Sequence, residues 1–288
     1  MSDVAIVTDS CACIPSAFIQ DLDITWIPYY IHRGEEVLRD LVSIKQPDFY
    51  SWLPSAQTLP QTASPGPGDY YTAYKNLAEK GKKGILSVHM TSLGSGAFQA
   101  ARAAASMIQE SIPHVRIEVI DTLNVAMCTG WIVIEAAREA LNRHPFEQIV
   151  TKVRSLIPQA EMLQTADTLR YLYMGGRIGR ATNLVGSLLN IKPIIGMKDG
   201  VIVALGKARS RRRAYEQMIE LVLGNLKPGE KIRAAFMHAA APLEAAKLKR
   251  MLEEKAQIIE SMICEFSPAL GVHCGPGTAG ICYLRSSE

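Results

Sequence analysis

The stretch that decides the fold is GILSVHMTSLGSGAFQAARAAASMIQES, residues 84–111. Its apolar start, residues 84–90, predicts a buried strand. Its alanine-rich end, residues 96–111, predicts a helix, and the serines and glycines between them predict a loop. A strand, a loop and a helix in this order are typical of the β-α-β units that build parallel sheets.

The same alternation continues on both sides of this stretch. Strands are predicted at 4–9, 24–32 and 115–121, and helices are predicted at 15–22, 69–81 and 125–143, with a helical turn at 48–53. Because strands and helices alternate, the first half of the chain predicts an α/β fold. Its sheet should be mainly parallel and covered by helices on both faces.

The second half of the chain follows a different pattern. Asp199 and Gly200 divide the apolar segment 193–209, which is the usual signal of a two-residue hairpin turn. Further strands are predicted at 161–167, 231–239, 257–267 and 279–285, and helices at 210–226 and 242–256. We therefore predict two domains that meet near Pro158. Residues 1–158 would hold the parallel sheet and residues 159–288 a second α/β domain with a mixed sheet.

Composition limits the class of protein. Hydrophobic residues make up 48% of the 288 residues and charged residues 20%, which is typical of a soluble globular protein. The net charge of +3 is too small to indicate nucleic-acid binding. No apolar run is long enough to span a bilayer, and the start MSDVAIVTDS lacks the basic region of a signal peptide. We expect a cytoplasmic protein without stable membrane insertion.

Metal chemistry is not favoured by the candidate ligands. The six cysteines lack the paired C-x-x-C spacing of zinc sites, so we expect reduced structural thiols and no metal. Asp9, Asp121 and Asp167 each end or follow a predicted strand. They fit two interpretations, metal ligands or caps of the loops that follow the strands, and the second is favoured because their spacing is not diagnostic.

Three loops rich in small residues interrupt the apolar pattern, namely 59–70, 89–99 and 270–280. In the first, Pro65 to Gly68 predict irregular structure. The second lies where a strand ends and a helix begins, which is the usual ligand side of an α/β sheet. Ser95 and Gly96 there either cap the helix or hold a small anion with its free amides. The absence of a Gly-x-x-x-x-Gly-Lys pattern favours a carboxylate or a single phosphate over a nucleotide.

The third loop contains His273 between glycines. A histidine in such a loop can donate a hydrogen bond to an anion or act as an acid or base. It can equally be held in place by the loop backbone. The residues themselves leave these interpretations open.

Several segments, read in order, resemble the DegV family of bacterial fatty-acid-binding proteins. They are IVTDS (6–10), LPQTASPGP (59–67), SVHMTSLGSGAFQAA (87–101), VIDT (119–122), TLRYLYMGGRIGRA (168–181), LNIKPIIGMKDGVIVALGKARSRRRA (189–214) and GVHCGPGTAG (271–280). Each segment alone is a weak signal. Their common order and spacing over essentially the whole chain are specific.

The resemblance implies a two-domain α/β protein that holds one long-chain fatty acid in an apolar tunnel between its domains. The family's carboxylate-binding positions match Thr62, Ser95 and His273, with Gly96 beside Ser95. It also implies a carrier without a cofactor rather than an enzyme. A separate ATP-dependent fatty acid kinase would convert the bound acid to the acyl-phosphate for phospholipid synthesis.

The sequence departs from the family pattern in the loops. Ala63 replaces the serine that usually follows the threonine, Ala97 and Phe98 replace Thr-Tyr, and Cys274 replaces the threonine after the histidine. The proposed carboxylate ligands are retained. The hydrogen bonds within these loops, and with them the preferred acyl chain, are expected to differ.

Basic residues suggest where a partner would dock. Arg170, Arg177 and Arg180 lie in the segment 168–181, and Arg209 to Arg213 form a basic run at a predicted helix start. Positive charge is unfavourable at a helix start, which favours a functional use. We predict a docking face for the kinase that includes Arg170, Arg177 and Arg209. The alternative function is a metal- or nucleotide-dependent phosphotransferase or hydrolase that uses Asp9 and Asp121.

Overall fold

The computed structural model of the protein describes residues 2–187 and 191–286. Leu189 and Asn190, which begin the segment 189–214, lie outside the described residues. The strands are β1 Val4–Asp9, β2 Ile24–Ile27, β3 Tyr30–Arg33, β4 Glu36–Arg39, β5 Gln61–Ala63, β6 Gly84–His89, β7 Arg116–Asp121, β8 Ala160–Thr165, β9 Lys192–Lys198, β10 Val201–Ala208, β11 Lys231–His238, β12 Gln257–Glu265 and β13 Ala279–Ser286. The α-helices are α1 Ser16–Asp21, α2 Gln46–Trp52, α3 Pro67–Glu79, α4 Ala97–Ser111, α5 Met127–Leu141, α6 Phe146–Leu156, α7 Arg170–Met174, α8 Arg211–Asn225, α9 Pro242–Glu253 and α10 Pro268–Cys274.

The first half of the chain forms a parallel four-stranded sheet in the order β2-β1-β6-β7. Every residue of β6 is buried, as its continuous apolar run predicts. The following helix α4 buries one face made mostly of alanines, which allows close packing against the sheet. The predicted parallel α/β arrangement is confirmed.

The second half forms a mixed six-stranded sheet in the order β10-β9-β8-β13-β11-β12, in which the pair β11 and β12 is parallel. The hairpin of β9 and β10 turns at Asp199 and Gly200, whose φ angles are 51° and 77°. Two left-handed residues are what a type I′ turn requires, so the hairpin prediction is confirmed. All strands of this sheet follow Pro158. The division into two domains at that residue stays a prediction.

One predicted strand was wrong. Residues 24–32 form two strands, β2 in the parallel sheet and β3 in a small antiparallel sheet of order β4-β3-β5. Pro28 separates them because it has no amide hydrogen to donate to a strand neighbour. The next residue, Tyr29, instead donates its amide to Ser10 Oγ at 3.0 Å and accepts from the Asp40 amide at 2.9 Å.

Other elements were missed or predicted as irregular. The segment 59–70 contains β5, and α3 begins at Pro67, which fits the first turn of a helix because no amide is needed there. Sequence reasoning also missed β4 and α6. Helix α6 buries Ile149, Val150, Val153 and Leu156, a helical spacing that was present in the sequence.

Helix α5 packs against strands of both large sheets. It is buried on nearly all sides and packs against β1, β8 and β13. Trp131 in this helix donates its indole N–H to the carbonyl of Cys282 at 3.2 Å. At the hairpin tip, Thr91 Oγ1 donates to the carbonyl of Gly200 at 2.8 Å. Along the described ranges, no helix is both long and apolar enough to cross a membrane.

Candidate ligand-binding site

A cavity of about 660 Å³ lies where residues from both halves of the chain meet. This volume is within the range of roughly 300–1,000 Å³ that is typical of small-molecule sites. Much of its wall is apolar. The larger apolar side chains are Met90, Leu93, Val125, Met162, Leu172, Met197, Val201, Ile202, Phe266 and Leu270.

The loop after β6 contributes Ser95 and Gly96 to this cavity. Ser95 Oγ accepts a hydrogen bond from the amide of Ala97 at 3.3 Å, so Ser95 stabilises the start of α4. The same oxygen lies 2.5 Å from the hydroxyl of Tyr29. A methyl group on Gly96 would come within 3.2 Å of Ser64 Oγ, so a glycine lets the two loops approach closely. Ser95 therefore both accepts from the first amide of α4, just before the N-cap Gly96, and lines the cavity.

Thr62 and His273 meet in the cavity wall. Thr62 lies in β5, and its Oγ1 is 2.9 Å from Nε2 of His273. The prediction that His273 lies in an irregular glycine-rich loop was wrong. It lies in the last turn of α10, which begins after the capping residue Ser267 and ends at Cys274. The Ser267 side chain accepts from the amide of Leu270, which fixes the start of this short helix.

Arg177 links the Ser95 loop to the neighbourhood of His273. Its Nη1 donates to the carbonyl of Gly175 at 2.8 Å, and its Nε makes a long contact of 3.5 Å to the carbonyl of Gly94. A methyl group on Gly175 would lie only 2.3 Å from Nδ1 of His273. The structure thus brings Thr62, Ser95 and His273 to one polar region of the cavity.

The polar region is suited to an anion. Burial, with a smaller effect from the positive charge of Arg177, lowers the pKa of His273 to about 4, so the ring is neutral at neutral pH. Its Nδ1 is buried and has no hydrogen-bond partner among the described residues. Burial also raises the pKa of Tyr29 well above its usual range, so that hydroxyl keeps its proton. Neutral polar side chains and one exposed guanidinium therefore line this part of the cavity.

The candidate carboxylates are used as loop caps and ion-pair partners. Asp9 accepts from the amide of Cys11 at 3.0 Å and lies 2.8 Å from His89 Nδ1. Asp121 accepts from the amides of Ser92 and Leu123. Asp167 lies 2.5 Å from Lys192 Nζ and 2.6 Å from Arg211 Nη2. Within residues 2–187 and 191–286, no group of His, Cys, Asp or Glu has the arrangement needed to hold a metal ion.

The basic residues differ in their exposure and in whether they form ion pairs. Arg170 and Arg209 are exposed, and Arg177 lines the cavity. Arg212 and Arg213 both pair with Glu216, which offsets the positive charge at the start of α8. The role of Arg170, Arg177 and Arg209 in docking stays a prediction.

Sequence reasoning missed four polar residues of the cavity wall. They are Tyr29, Ser64, Thr91 and Gln164. Ser64 lies two residues after Thr62 in the segment 59–67, so its neighbourhood is a usable signal. Tyr29 lies in the stretch 24–32, which the apolar pattern predicts as a strand. No sequence pattern distinguished it or Gln164 from ordinary core residues.

Known proteins resemble this chain over its whole length. Residues 3–286 match the family described as "Uncharacterised protein, DegV family". A DegV domain-containing protein of Clostridium perfringens is 32% identical over 284 residues, which is 99% of this chain and 99% of that relative. Protein DegV of Bacillus subtilis is 30% identical over 282 residues, covering 98% of this chain and 99% of its own length.

Solved structures share the fold. A DegV family protein from Thermus thermophilus, described as binding fatty acid, has a TM-score of 0.92 at 27% identity, covering 99% of this chain and 100% of that one. DegV from Bacillus subtilis, described as a fatty acid binding protein, has a TM-score of 0.88 at 30% identity, with the same coverage. Because the family model spans residues 3–286 and a relative is 32% identical over 284 residues, this chain belongs to the DegV family.

Proposed function

We propose that this protein binds one long-chain fatty acid in the cavity and holds its carboxylate with Thr62, Ser95, Gly96 and His273. The observation that carries the proposal is the meeting of Thr62 and His273 beside the Ser95 loop in a cavity whose wall is otherwise largely apolar. A fatty acid has this combination of one small anionic group and a long apolar chain. The fatty acid binding described for the two solved relatives supports the same ligand class.

The head group and the tail of a fatty acid are expected to contribute different amounts of free energy to binding. A hydrogen bond to a charged group contributes about 1.5–3 kcal/mol net. Burial of a tail of about fourteen methylenes contributes roughly 11 kcal/mol, at about 0.8 kcal/mol each, before the cost of association. The tail would therefore dominate affinity. The polar residues would set the orientation of the ligand and the choice of head group.

The protein would act as a cytoplasmic carrier rather than as an enzyme. In this proposal a separate ATP-dependent fatty acid kinase phosphorylates the bound acid for phospholipid synthesis, and it docks on Arg170, Arg177 and Arg209. The exposure of Arg170 and Arg209 and the position of Arg177 at the cavity support this arrangement. The engagement of Asp9 and Asp121 by backbone amides and His89 gives no support to the alternative phosphotransferase or hydrolase.

Ligand binding by two variants tests the proposal. Ser95→Ala and His273→Ala should each weaken binding of a long-chain fatty acid by about tenfold or more, since each removes a head-group contact. Ser106→Ala is a matched control because Ser106 is exposed on α4, the helix that follows Ser95, and bonds only to the carbonyl of Arg102 among the described residues. Unchanged binding in both test variants, or nucleotide-dependent turnover by the isolated protein, would contradict the carrier.

A further inference from the structure

Tyr29 is a polar residue of the cavity that no motif singles out. Only 4% of it is exposed, and its hydroxyl lies 2.5 Å from Ser95 Oγ. Both backbone polar groups of Tyr29 are hydrogen-bonded. Its amide donates to Ser10 Oγ, and its carbonyl accepts from the Asp40 amide. Tyr29 therefore presents its hydroxyl to Ser95 from a fixed position.

The hydrogen bonds at Ser95 restrict what its hydroxyl can do. A serine hydroxyl has one hydrogen to donate and two lone pairs to accept with. The amide of Ala97 can only donate, and it occupies one lone pair. A phenol is more acidic than an aliphatic alcohol, so Tyr29 is the better donor of the two hydroxyls and occupies the second lone pair. The hydrogen of Ser95 is then the part that remains for a ligand.

A serine in this state suits one kind of head group. It can donate to an ionised carboxylate, whose oxygens only accept. The oxygen of an alcohol or an amide can also accept from Ser95, but the hydrogen of such a head group finds no acceptor there, because both lone pairs of Ser95 are already used. A hydrogen bond received from Tyr29 also strengthens the donation from Ser95, because hydrogen bonds in a chain polarise one another.

We propose that Tyr29 is a positioning residue that commits Ser95 to donating and so makes the site select ionised carboxylates over neutral head groups that carry a hydrogen. This inference rests on the proposed function and names the feature of the site that chooses the acid. Tyr29 acts through Ser95 in this scheme. Its contribution should therefore depend on the presence of the Ser95 hydroxyl.

A double-mutant cycle tests this dependence. The Kd for a long-chain fatty acid and for the fatty alcohol of the same length is measured for wild type, Tyr29→Phe, Ser95→Ala and the double variant. Tyr29→Phe should weaken acid binding about tenfold and alter alcohol binding less than about twofold. In the Ser95→Ala background, Tyr29→Phe should change acid binding by less than about twofold, because the Ser95 hydroxyl through which Tyr29 acts is absent. Tyr70→Phe is the control, since Tyr70 is buried and its hydroxyl has no partner among the described residues.

The outcomes separate this inference from the proposed function. If the losses of Tyr29→Phe and Ser95→Ala multiply, or if acid and alcohol binding fall equally, Tyr29 has only a packing role and the inference is overturned. If wild type binds no fatty acid, the proposed function fails, and the inference fails with it. Thermal denaturation of each variant shows whether the fold is kept, and a loss of folding in Tyr29→Phe without any in Tyr70→Phe would also count against a role confined to Ser95.

Discussion

The hydroxyl of Thr62 lies 2.9 Å from Nε2 of His273, although 211 positions separate the two residues in the chain. Thr62 is held in a short strand of the first half, and His273 ends a short helix of the second. This contact lies in the wall of a largely apolar cavity. The position of the head-group site therefore depends on how both halves of the chain pack. Substituting either residue should therefore affect ligand binding.

Removing the Thr62 hydroxyl tests this contact. Thr62→Val keeps the branched shape that suits a strand and should weaken fatty-acid binding by about tenfold, since one donor to the carboxylate is lost. Isothermal titration calorimetry measures the change. Thr72→Val is the control, because Thr72 is exposed on α3 and bonds to the carbonyl of Gly68. Equal affinities for wild type and Thr62→Val would remove Thr62 from the head-group site.

A methyl group at Gly175 should displace the histidine ring. Gly175 has a φ of −75°, which alanine adopts without strain, but its new methyl group would lie 2.3 Å from His273 Nδ1. Gly175→Ala should therefore weaken fatty-acid binding about tenfold or more through the displaced ring. The control is Gly224→Ala in α8, where a methyl group meets nothing within 4 Å. It should leave binding unchanged and stabilise the protein by about 0.5–1 kcal/mol.

The affinity of Gly175→Ala is measured by displacement of a fluorescent fatty acid, and its stability by thermal denaturation. Wild-type affinity in a folded Gly175→Ala protein would show that the position of the imidazole ring is unimportant for the ligand.

The stability of the ligand-free protein should depend on pH through His273. Its pKa is about 4 in the folded protein because the ring is buried, against about 6.5 in the unfolded chain. The unfolded chain therefore binds the proton more readily, and the stability that depends on the neutral ring is complete above about pH 6.5. It falls as the pH drops from there towards about 4, by up to about 3 kcal/mol.

Urea denaturation at several pH values between 4 and 7 measures this effect as the difference between wild type and His273→Gln. The variant lacks the titrating ring, so its stability should fall less steeply over the same window. Parallel curves for the two proteins would show that His273 does not carry the pH dependence.

Much of the fold was predictable from local patterns. Strand β6 is a continuous apolar run, α4 is rich in alanine, and Asp199-Gly200 is a turn sequence whose conformation few other residue pairs adopt. Such features depend on neighbours in the chain. The split of residues 24–32 was also readable, because Pro28 stands in the middle and interrupts any ladder of hydrogen bonds.

The site was less predictable because its contacts join distant segments. Ser95 alone is compatible with a simple helix cap, and although the N-cap of α4 is Gly96, Ser95 does accept from the amide of Ala97. The contact of His273 with Thr62 and that of Tyr29 with Ser95 arise only when the two sheets and the small antiparallel sheet are assembled. No local pattern marks Tyr29. Thr62, Ser95 and His273 were joined into one hypothesis by the family resemblance rather than by their own spacing.

The docking prediction is tested by reversing one charge. Arg209 is exposed and makes no ion pair with the described residues, so Arg209→Glu should leave fatty-acid binding intact and lower acyl-phosphate formation by an added fatty acid kinase several-fold. Arg212→Glu is the charge-matched control, since Arg212 is 85% exposed and already pairs with Glu216. Docking at Arg209 would be contradicted if Arg209→Glu lost both fatty-acid binding and acyl-phosphate formation. It would also be contradicted if Arg212→Glu lowered acyl-phosphate formation by the same amount.

The central claim is tested most directly by the ligand that the protein carries. Protein purified under native conditions from cells that make phospholipids is extracted with organic solvent, and the extract is analysed by mass spectrometry beside an extract of His273→Ala. The account predicts one long-chain fatty acid per chain in the wild type and clearly less in the variant. A folded wild-type protein that carries no acyl chain, and takes none up when a long-chain fatty acid is added, would contradict it.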